Sequence, residues 1–493
     1  MSGPDFNGDG HPDLVVGVPN EDRRRTDTGV VQVLYGTAGG ISAEGNQVWS
    51  QDSPGIPEEA ERYDSFGTAL GWGDFDGDGF DDLAVGTPRE RTTHRYAGVV
   101  HILYGSAAGV TAGRSQLWDQ DVAGVKGEAE RDDSFGAALA AADFDGDGYD
   151  DLTIGVPGDS TPRRAGTVQV LRGGAEGLTS VGNTLWSQPT GQARTGDRFG
   201  SSLAVGDFDA DGHPDLAIGA THRRSEGVER AGAVSVLYGT SGGLGLDRAQ
   251  EWSQGSPGVP GNPESLDGFA RSLATGDLDG DGNDDLAVAV PSDPVGTVEG
   301  GGGAANVLFG TSAGLDSARA QLWSEDSAGV PGKVEPGDFA AAIAVTDLDA
   351  DGYAELVLGG MDELFRGESI AGRIIVLPGT DAGPVGAGSK RWTQDSPGVR
   401  DRAESFDGFG TALASEDFNS DGFNDLVIGA PGEQVGDSGV RSGAVNLLYG
   451  GPAGLSGDDD QFWRQGAAGV GERPEHGDAF GAVLTGSSVR MFF

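Results

Sequence analysis

The sequence predicts an all-β protein, a seven-bladed β-propeller with four-stranded antiparallel blades. Three observations carry this expectation. An acidic decapeptide recurs seven times at a step close to 70 residues. Each repeat also holds four short runs rich in β-branched or apolar residues, bounded by Gly, Pro or Asp. No stretch shows apolar periodicity over the length of a helix. A long fixed period built from four strand-like runs is what a propeller blade looks like in one dimension.

The decapeptide is clearest at Asp143-Phe144-Asp145-Gly146-Asp147-Gly148-Tyr149-Asp150-Asp151-Leu152. Carboxylates stand at positions 1, 3, 5 and 9, and Gly148 at position 6 lets the chain turn sharply enough for them to converge. Position 1 of the seven loops is Asp5, Asp74, Asp143, Asp207, Asp277, Asp347 and Asp417. Position 3 is Asp76, Asp145, Asp209, Asp279 or Asp349, with Asn7 and Asn419 keeping an oxygen in the first and last loops. Position 5 is Asp9, Asp78, Asp147, Asp211, Asp281, Asp351 and Asp421. Position 9 is Asp13, Asp82, Asp151, Asp215, Asp285, Glu355 and Asp425. A further oxygen is expected from the main-chain carbonyl at position 7, where the residue is His11, Phe80, Tyr149, His213, Asn283, Tyr353 or Phe423. An all-oxygen donor set with no His or Cys side chain among the ligands favours Ca2+ over zinc or copper, at about seven sites, one per blade. The competing reading is a set of acidic turns that hold no ion.

Around each loop the other runs follow in a fixed order. In the third blade they are Phe135-Gly136-Ala137-Ala138-Leu139 before the loop, Leu152 to Pro157 after it, Gly166 to Leu171, and a run ending at Thr184-Leu185-Trp186. These are expected to be strands A to D. Phe66, Phe135, Phe199, Phe269, Phe339, Phe409 and Phe480 repeat with the period, as do Trp49, Trp118, Trp186, Trp252, Trp323, Trp392 and Trp463. A sevenfold aromatic is expected to pack between blades. An Asp two residues before the Phe (Asp64, Asp133, Asp197, Asp267, Asp407, Asp478) is expected to satisfy turn amides. The first loop has no Phe-Gly run before it, and Phe480 to Leu484 has no loop after it. The C-terminal strand is therefore expected to complete the first blade and close the ring, hiding both sheet edges. This makes 1–493 one domain, with blade 1 split between the N-terminus and about 480–493.

Composition narrows the function. The formal charge of −46 and the lack of a basic stripe argue against nucleic acid and anionic membranes as partners. There is no cysteine, so disulfides say nothing about compartment. No apolar run approaches the ~20 residues of a membrane span, and the first loop follows Met1 too closely for a signal peptide. The expected localisation is thus secreted or cell-surface if a leader lies outside this sequence, and cytoplasmic otherwise.

Phe-Gly, the Asp-x-Asp-x-Asp-Gly-x-x-Asp-Leu loop, and a Gly-x-Pro such as Gly17-Val18-Pro19, Gly86-Thr87-Pro88, Gly155-Val156-Pro157 or Gly429-Ala430-Pro431 occur in this order. Together they resemble the FG-GAP repeat of the integrin α-subunit headpiece. The resemblance covers essentially the whole chain. It implies a seven-bladed propeller whose calcium loops join strands A and B on the lower face, and a structural metal. It does not imply an integrin's partner. Gly219-Ala220-Thr221 lacks the Pro, and Gly359-Gly360-Met361 has lost the motif.

With the A–B loops below, the B–C and D–A connections form the upper face, where the repeats differ most. Arg23, Arg24, Arg25, Arg89, Arg91, Arg95, Arg163, Arg164, Arg223 and Arg224 cluster there. They are expected either to pair with acids of the D–A connections, such as Glu58, Glu59 and Glu61, or to bind an anionic group. His94, Tyr96, His222 and the stretch Met361-Asp362-Glu363-Leu364-Phe365-Arg366 occur in one blade each. His94, Tyr96, His222, Asp362, Glu363 and Arg366 are the catalytic candidates of an enzyme reading, although no recognisable nucleophile accompanies them. Trp72 lies outside the tryptophan pattern and belongs either to the channel wall or to the packing. Two functions follow. One is a calcium-stabilised, monomeric binding module that recognises a protein or glycan through its upper loops. The other is a propeller enzyme acting on a small molecule at the channel mouth.

Overall fold

The computed structural model describes residues 3–160, 163–188, 193–295, 301–332, 334, 337–361, 371–435, 439–467 and 469–485. They form seven four-stranded antiparallel sheets and, in the B–C connection of the seventh blade, a small hairpin of Gln434–Val435 with Val440–Arg441. In the third blade the order from the axis outward is Leu139–Ala142, Asp151–Val156, Thr167–Arg172 and Thr179–Ser187. Five other blades repeat it. The first blade runs Val483–Leu484, Leu14–Val18, Val30–Tyr35 and Ser42–Trp49, so its innermost strand comes from the far end of the chain. Val16 pairs with Leu484 and Gly17 with Val483, which closes the ring as the sequence predicts. The tail beyond Thr485, and with it the expected overrun at 489–493, lies outside the described residues.

The second strand of each blade is buried along its whole length, whereas the outer strand is half-buried or exposed. Seven apolar cores follow, one in each seam between neighbouring blades. The repeated Phe side chains sit inside these seams at no more than 3% exposure. Trp49, Trp118, Trp252 and Trp463 pack at their outer ends, each donating its indole N–H to the Gln two residues earlier. Repeated aromatics are therefore packing residues.

One boundary differs from expectation. Phe135-Gly136 precedes the inner strand instead of opening it, because Gly136 takes φ 83°, a left-handed value that extended backbone does not use. Where the strand does begin at the Phe, at Phe199, a bulge before Leu203 absorbs the turn. The two glycine motifs explain each other across the seam. A Cβ on Gly155 of the Gly-x-Pro would lie 2.1 Å from the carbonyl of Gly200 in the next blade's Phe-Gly, and Gly86 and Gly429 meet Gly136 and Gly481 in the same way. Asp133, two residues before its Phe, accepts the Glu130 amide at 2.6 Å, which is the turn role expected of it.

The seams are also latched by buried polar bonds. Gln120 donates to Asp159 of the following blade at 3.0 Å, Gln254 to Asp293 at 2.6 Å and Gln394 to Glu433 at 2.5 Å. Gln51 to Glu90, and Gln465 to Glu21 across the closure, complete five such latches. Between the fifth and sixth blades the pattern is inverted. Glu325 replaces the Gln and receives a two-pronged ion pair from Arg373, Nε to Oε1 at 2.7 Å and Nη2 to Oε2 at 2.5 Å, with both side chains almost fully buried.

Candidate metal centres

Each A–B loop is wound around its own first carboxylate. In the third loop Asp143 Oδ1 accepts the amides of Gly146 and Asp147 at 2.8 and 3.1 Å, and Oδ2 accepts that of Gly148 at 2.9 Å. Asp147 Oδ1 then accepts the Tyr149 amide at 3.1 Å. All but the first of these bonds recur in the first and seventh loops through Asp5 and Asp9, and through Asp417 and Asp421. In at least five loops an oxygen from each of three acids falls within 4.8 Å of the others: Asp74, Asp76 and Asp78; Asp143, Asp145 and Asp147; Asp207, Asp209 and Asp215; Asp277, Asp279 and Asp285; Asp347, Asp349 and Asp351.

The ninth-position carboxylate anchors the loop to the sheet. Asp82 accepts the Phe75 amide at 3.0 Å with one oxygen and the Gly105 amide at 2.9 Å with the other. Asp13, Asp215 and Asp285 do the same for their own blades. Burial pushes these groups up, to about 8 for Asp13, Asp82 and Asp285, against the opposing pull of the amides. Nearby loop carboxylates raise them further. Asp151 rises only to about 6, because Arg172 stands beside it.

Gathered like charges of this kind need a counter-charge, and the geometry leaves room for one. Asp209 Oδ1 and Asp279 Oδ1 belong to side chains only 3% and 2% exposed, yet have no hydrogen-bond partner. Asp145 Oδ1, Asp349 Oδ1 and Asp425 Oδ2 are likewise without one. An unpaired buried oxygen is costly unless something else meets it. These atoms and their neighbours fit a hard divalent cation.

Several contributors were missed in the sequence. The eighth residue of one loop clips the loop before it: Asp81 Oδ2 accepts the Asp5 amide at 2.7 Å, Asp150 that of Asp74 at 3.0 Å and Asp284 that of Asp207 at 2.9 Å. The Asp-Asp doublet that ends these loops was the available signal. Position 7 is also less tolerant than it looks. A Cβ on Gly8, Gly77 or Gly280 would lie 2.6 Å from the ring of Phe80, Tyr149 or Tyr353, so these three position-7 aromatics lean on the preceding loop. His11 reaches Ser420 at 2.7 Å and carries the contact across the ring closure.

The other candidates are not brought together. His94 is exposed in the second blade, and Tyr96 beside it lies under Arg95 at 4.3 Å. His222 belongs to the fourth blade, where its amide bonds the Asp197 carbonyl at 3.1 Å. Asp362, Glu363 and Arg366 lie outside the described residues. The central channel holds a cavity of about 530 Å³ walled by the inner strands, chiefly by small and aliphatic residues. Trp72 lines it while also packing in the first seam, but neither His nor Tyr96 does. Several upper arginines pair with acids, though with others than Glu58, Glu59 and Glu61: Arg23 with Glu472 at 2.6 Å, Arg24 with Asp52 at 3.7 Å, Arg223 with Asp197 at 3.4 Å and Arg224 with Glu229 at 3.4 Å.

Seven sheets around a channel, with an acidic loop entering the second strand of each, define the class: a repeat-built propeller with candidate cation loops on one rim. The FG-GAP repeat profile matches residues 1–34, 66–103, 135–171, 199–237, 269–308 and 409–445, passing over the sixth blade, where Gly359-Gly360-Met361 departs from the motif. The chain is an FG-GAP repeat protein with an integrin-α-like propeller. It is 34% identical to integrin alpha-5 of Xenopus laevis over 239 residues, 47% of this chain and 20% of that protein. It is 30% identical to integrin alpha-V of Gallus gallus over 253 residues, 50% of this chain and 22% of that protein. Phosphatidylinositol-glycan-specific phospholipase D of Bos taurus is 35% identical over 167 residues, 33% of this chain and 19% of that protein. The chain thus spans about a fifth of the length of these relatives. A solved rhamnogalacturonan lyase PL11 of Bacillus licheniformis overlaps at a TM-score of 0.35 and 13% identity, over 87% of this chain and 81% of that one, too little to carry an argument. Among the described residues no helix is long and apolar enough to cross a membrane.

Proposed function

We propose that this chain is a calcium-stabilised binding module, with Ca2+ in the A–B loops of the lower rim and a protein or glycan ligand on the upper loops. The observation that carries the metal half is the pair of buried, unpartnered oxygens at Asp209 and Asp279, each set among further carboxylates. At each site the ligands are the side chains at positions 1, 3, 5 and 9 and the main-chain carbonyl at position 7. A bound cation supplies the positive charge that the buried acids otherwise lack. The binding half is supported by likeness to integrin α chains and by upper connections that differ from blade to blade. Extracellular modules often hold calcium in oxygen-ligand loops, which suits an exported or surface-associated molecule, and the first blade is completed by the chain's own C-terminal strand without a second subunit.

A small-molecule enzyme is favoured by one observation, the partly apolar channel cavity. Of the catalytic candidates, the described ones, His94, Tyr96 and His222, do not line it. Stripping calcium with a chelator is expected to lower the melting temperature substantially, since an ion that binds only the folded state adds stability. Asp145→Ala is expected to remove one of about seven metal equivalents and leave the ring folded. An unchanged melt and unchanged stoichiometry would refute the reading.

A further inference from the structure

Four loops carry a cation of their own. Arg114 reaches Asp76 at 2.5 Å, Arg248 reaches Asp209 at 2.6 Å and Arg319 reaches Asp279 at 2.5 Å, always through Oδ2 of the position-3 carboxylate. Each guanidinium also lies over an aromatic ring of the third strand: Tyr104 at 4.6 Å, Tyr238 at 4.7 Å and Phe309 at 4.6 Å. The ring fixes the arginine, and the arginine fixes the carboxylate. In the third loop the outer strand has Gly182 where an arginine would stand. Arg172, the last residue of the third strand there, does the work instead, reaching Asp145 at 3.0 Å and Asp151 at 2.5 Å. In three of the four, the other oxygen of the position-3 side chain is the unpartnered one.

The first and seventh loops lack both halves of this device. Position 3 is Asn7 or Asn419, and the residues matching Arg114 along the outer strand are Gly45 and Asp459. At its ligand positions each of these loops presents three carboxylates. At theirs, loops two to five present four carboxylates and one guanidinium, which leaves the same three negative charges. Two different solutions converge on one charge among the ligand side chains. The sixth loop is the exception: Asp349 makes four carboxylates, and Lys390, whose charge acts on Asp349, gives its ammonium to the Ala453 carbonyl at 2.7 Å.

We infer that Arg114, Arg172, Arg248 and Arg319 are affinity-setting residues that hold down calcium binding at four rim loops by cancelling one ligand charge. The inference rests on the calcium reading of those loops. The guanidinium repels an incoming cation from behind the carboxylate it holds, and calcium affinity in oxygen-ligand loops rises with ligand charge. Arg114, Arg248 and Arg319 are about half exposed, so their ion pairs add little to fold stability and the effect on binding is separable.

The test is the triple variant R114M/R248M/R319M, in which methionine keeps an apolar stem over each ring and removes the charge. Wild-type and variant protein are purified with calcium bound, then titrated against a fluorescent calcium chelator. Three of about seven equivalents are expected to tighten by roughly three- to tenfold, with the total unchanged. R248K, which keeps the charge, is expected to bind like wild type and guards against a loss through misfolding. Equivalents that hold their affinity, or weaken, overturn the inference while leaving the calcium sites standing. A wild-type protein with no calcium to give up refutes both.

Discussion

Replacing Glu325 by Gln would give the fifth blade the residue that all six others carry at this place, and it should damage the protein. The five described Gln latches bond to a neutralisable acid, but Glu325 faces Arg373, whose side chain is 2% exposed and also lies over the Phe339 ring at 5.1 Å. Glutamine offers one carbonyl oxygen where the carboxylate gave two oxygens and a charge. Arg373 cannot discharge itself by losing a proton, so it stays a buried cation whose two-pronged pair with residue 325 is broken. Breaking a buried ion pair from one side costs about 3–5 kcal/mol. Replacing both partners by groups of matching shape is often neutral. The matching positions to Arg373 in the first and second blades are Val30 and Val99. Denaturant melts of E325Q, R373V and E325Q/R373V in calcium should therefore show both single variants well below wild type and the double variant recovering most of the loss. If E325Q melts with wild type, or if the double variant is additive, Arg373 is not held by this pair and the latch argument fails.

Gly155→Ala should cost about 2–3 kcal/mol through its contact with the Gly200 carbonyl, whereas Gly39→Ala, whose Cβ would meet nothing closer than 3.9 Å, should be near neutral by the same melt. His101 is fully buried with both ring nitrogens unpartnered, edge-on to Phe66 at 5.3 Å, and burial drives its pKa down to about 3. The unfolded chain takes up that proton first, at its ordinary value of about 6.5. The stability His101 permits is thus whole above pH 6.5 and lost as pH falls toward 3, by about 2 kcal/mol at pH 5. His101→Gln, matching Gln32 and Gln169, should be more acid-resistant than wild type when melted at pH 7 and pH 5, and parallel pH dependence in the two proteins would rule this out.

The architecture was legible because everything that defines it repeats. Seven loops, seven Phe and seven Trp give period, blade count and closure without any knowledge of contacts. What stayed hidden were interactions that cross from one repeat to the next. Gln120 finds Asp159 and Asp81 clips Asp5 only after the sheets stand side by side, and pattern within one repeat does not announce such pairs. The inner strand was placed early because Phe135 and Gly136 read as apolar strand, whereas the left-handed Gly136 makes them a turn. His94 and His222 are single-copy, yet the fold leaves a whole blade between them.

The closure deserves a kinetic reading. The first blade waits for a two-residue strand, and Val15 finds Thr485 470 positions along the chain. Every other sheet can assemble from neighbours as the chain emerges, but Leu14–Val18, wholly buried at the end, keeps one flank bare until the last repeat arrives. An arc of six finished blades with a sticky edge at one tip and its mate at the other is a bracelet with an open clasp. Slow synthesis, crowding or a weakened clasp gives a second molecule time to supply the missing strand, and two arcs would then lock into a swapped pair. Joining the present ends and opening the chain between two complete blades would remove that vulnerability, because no sheet would have to be finished from afar.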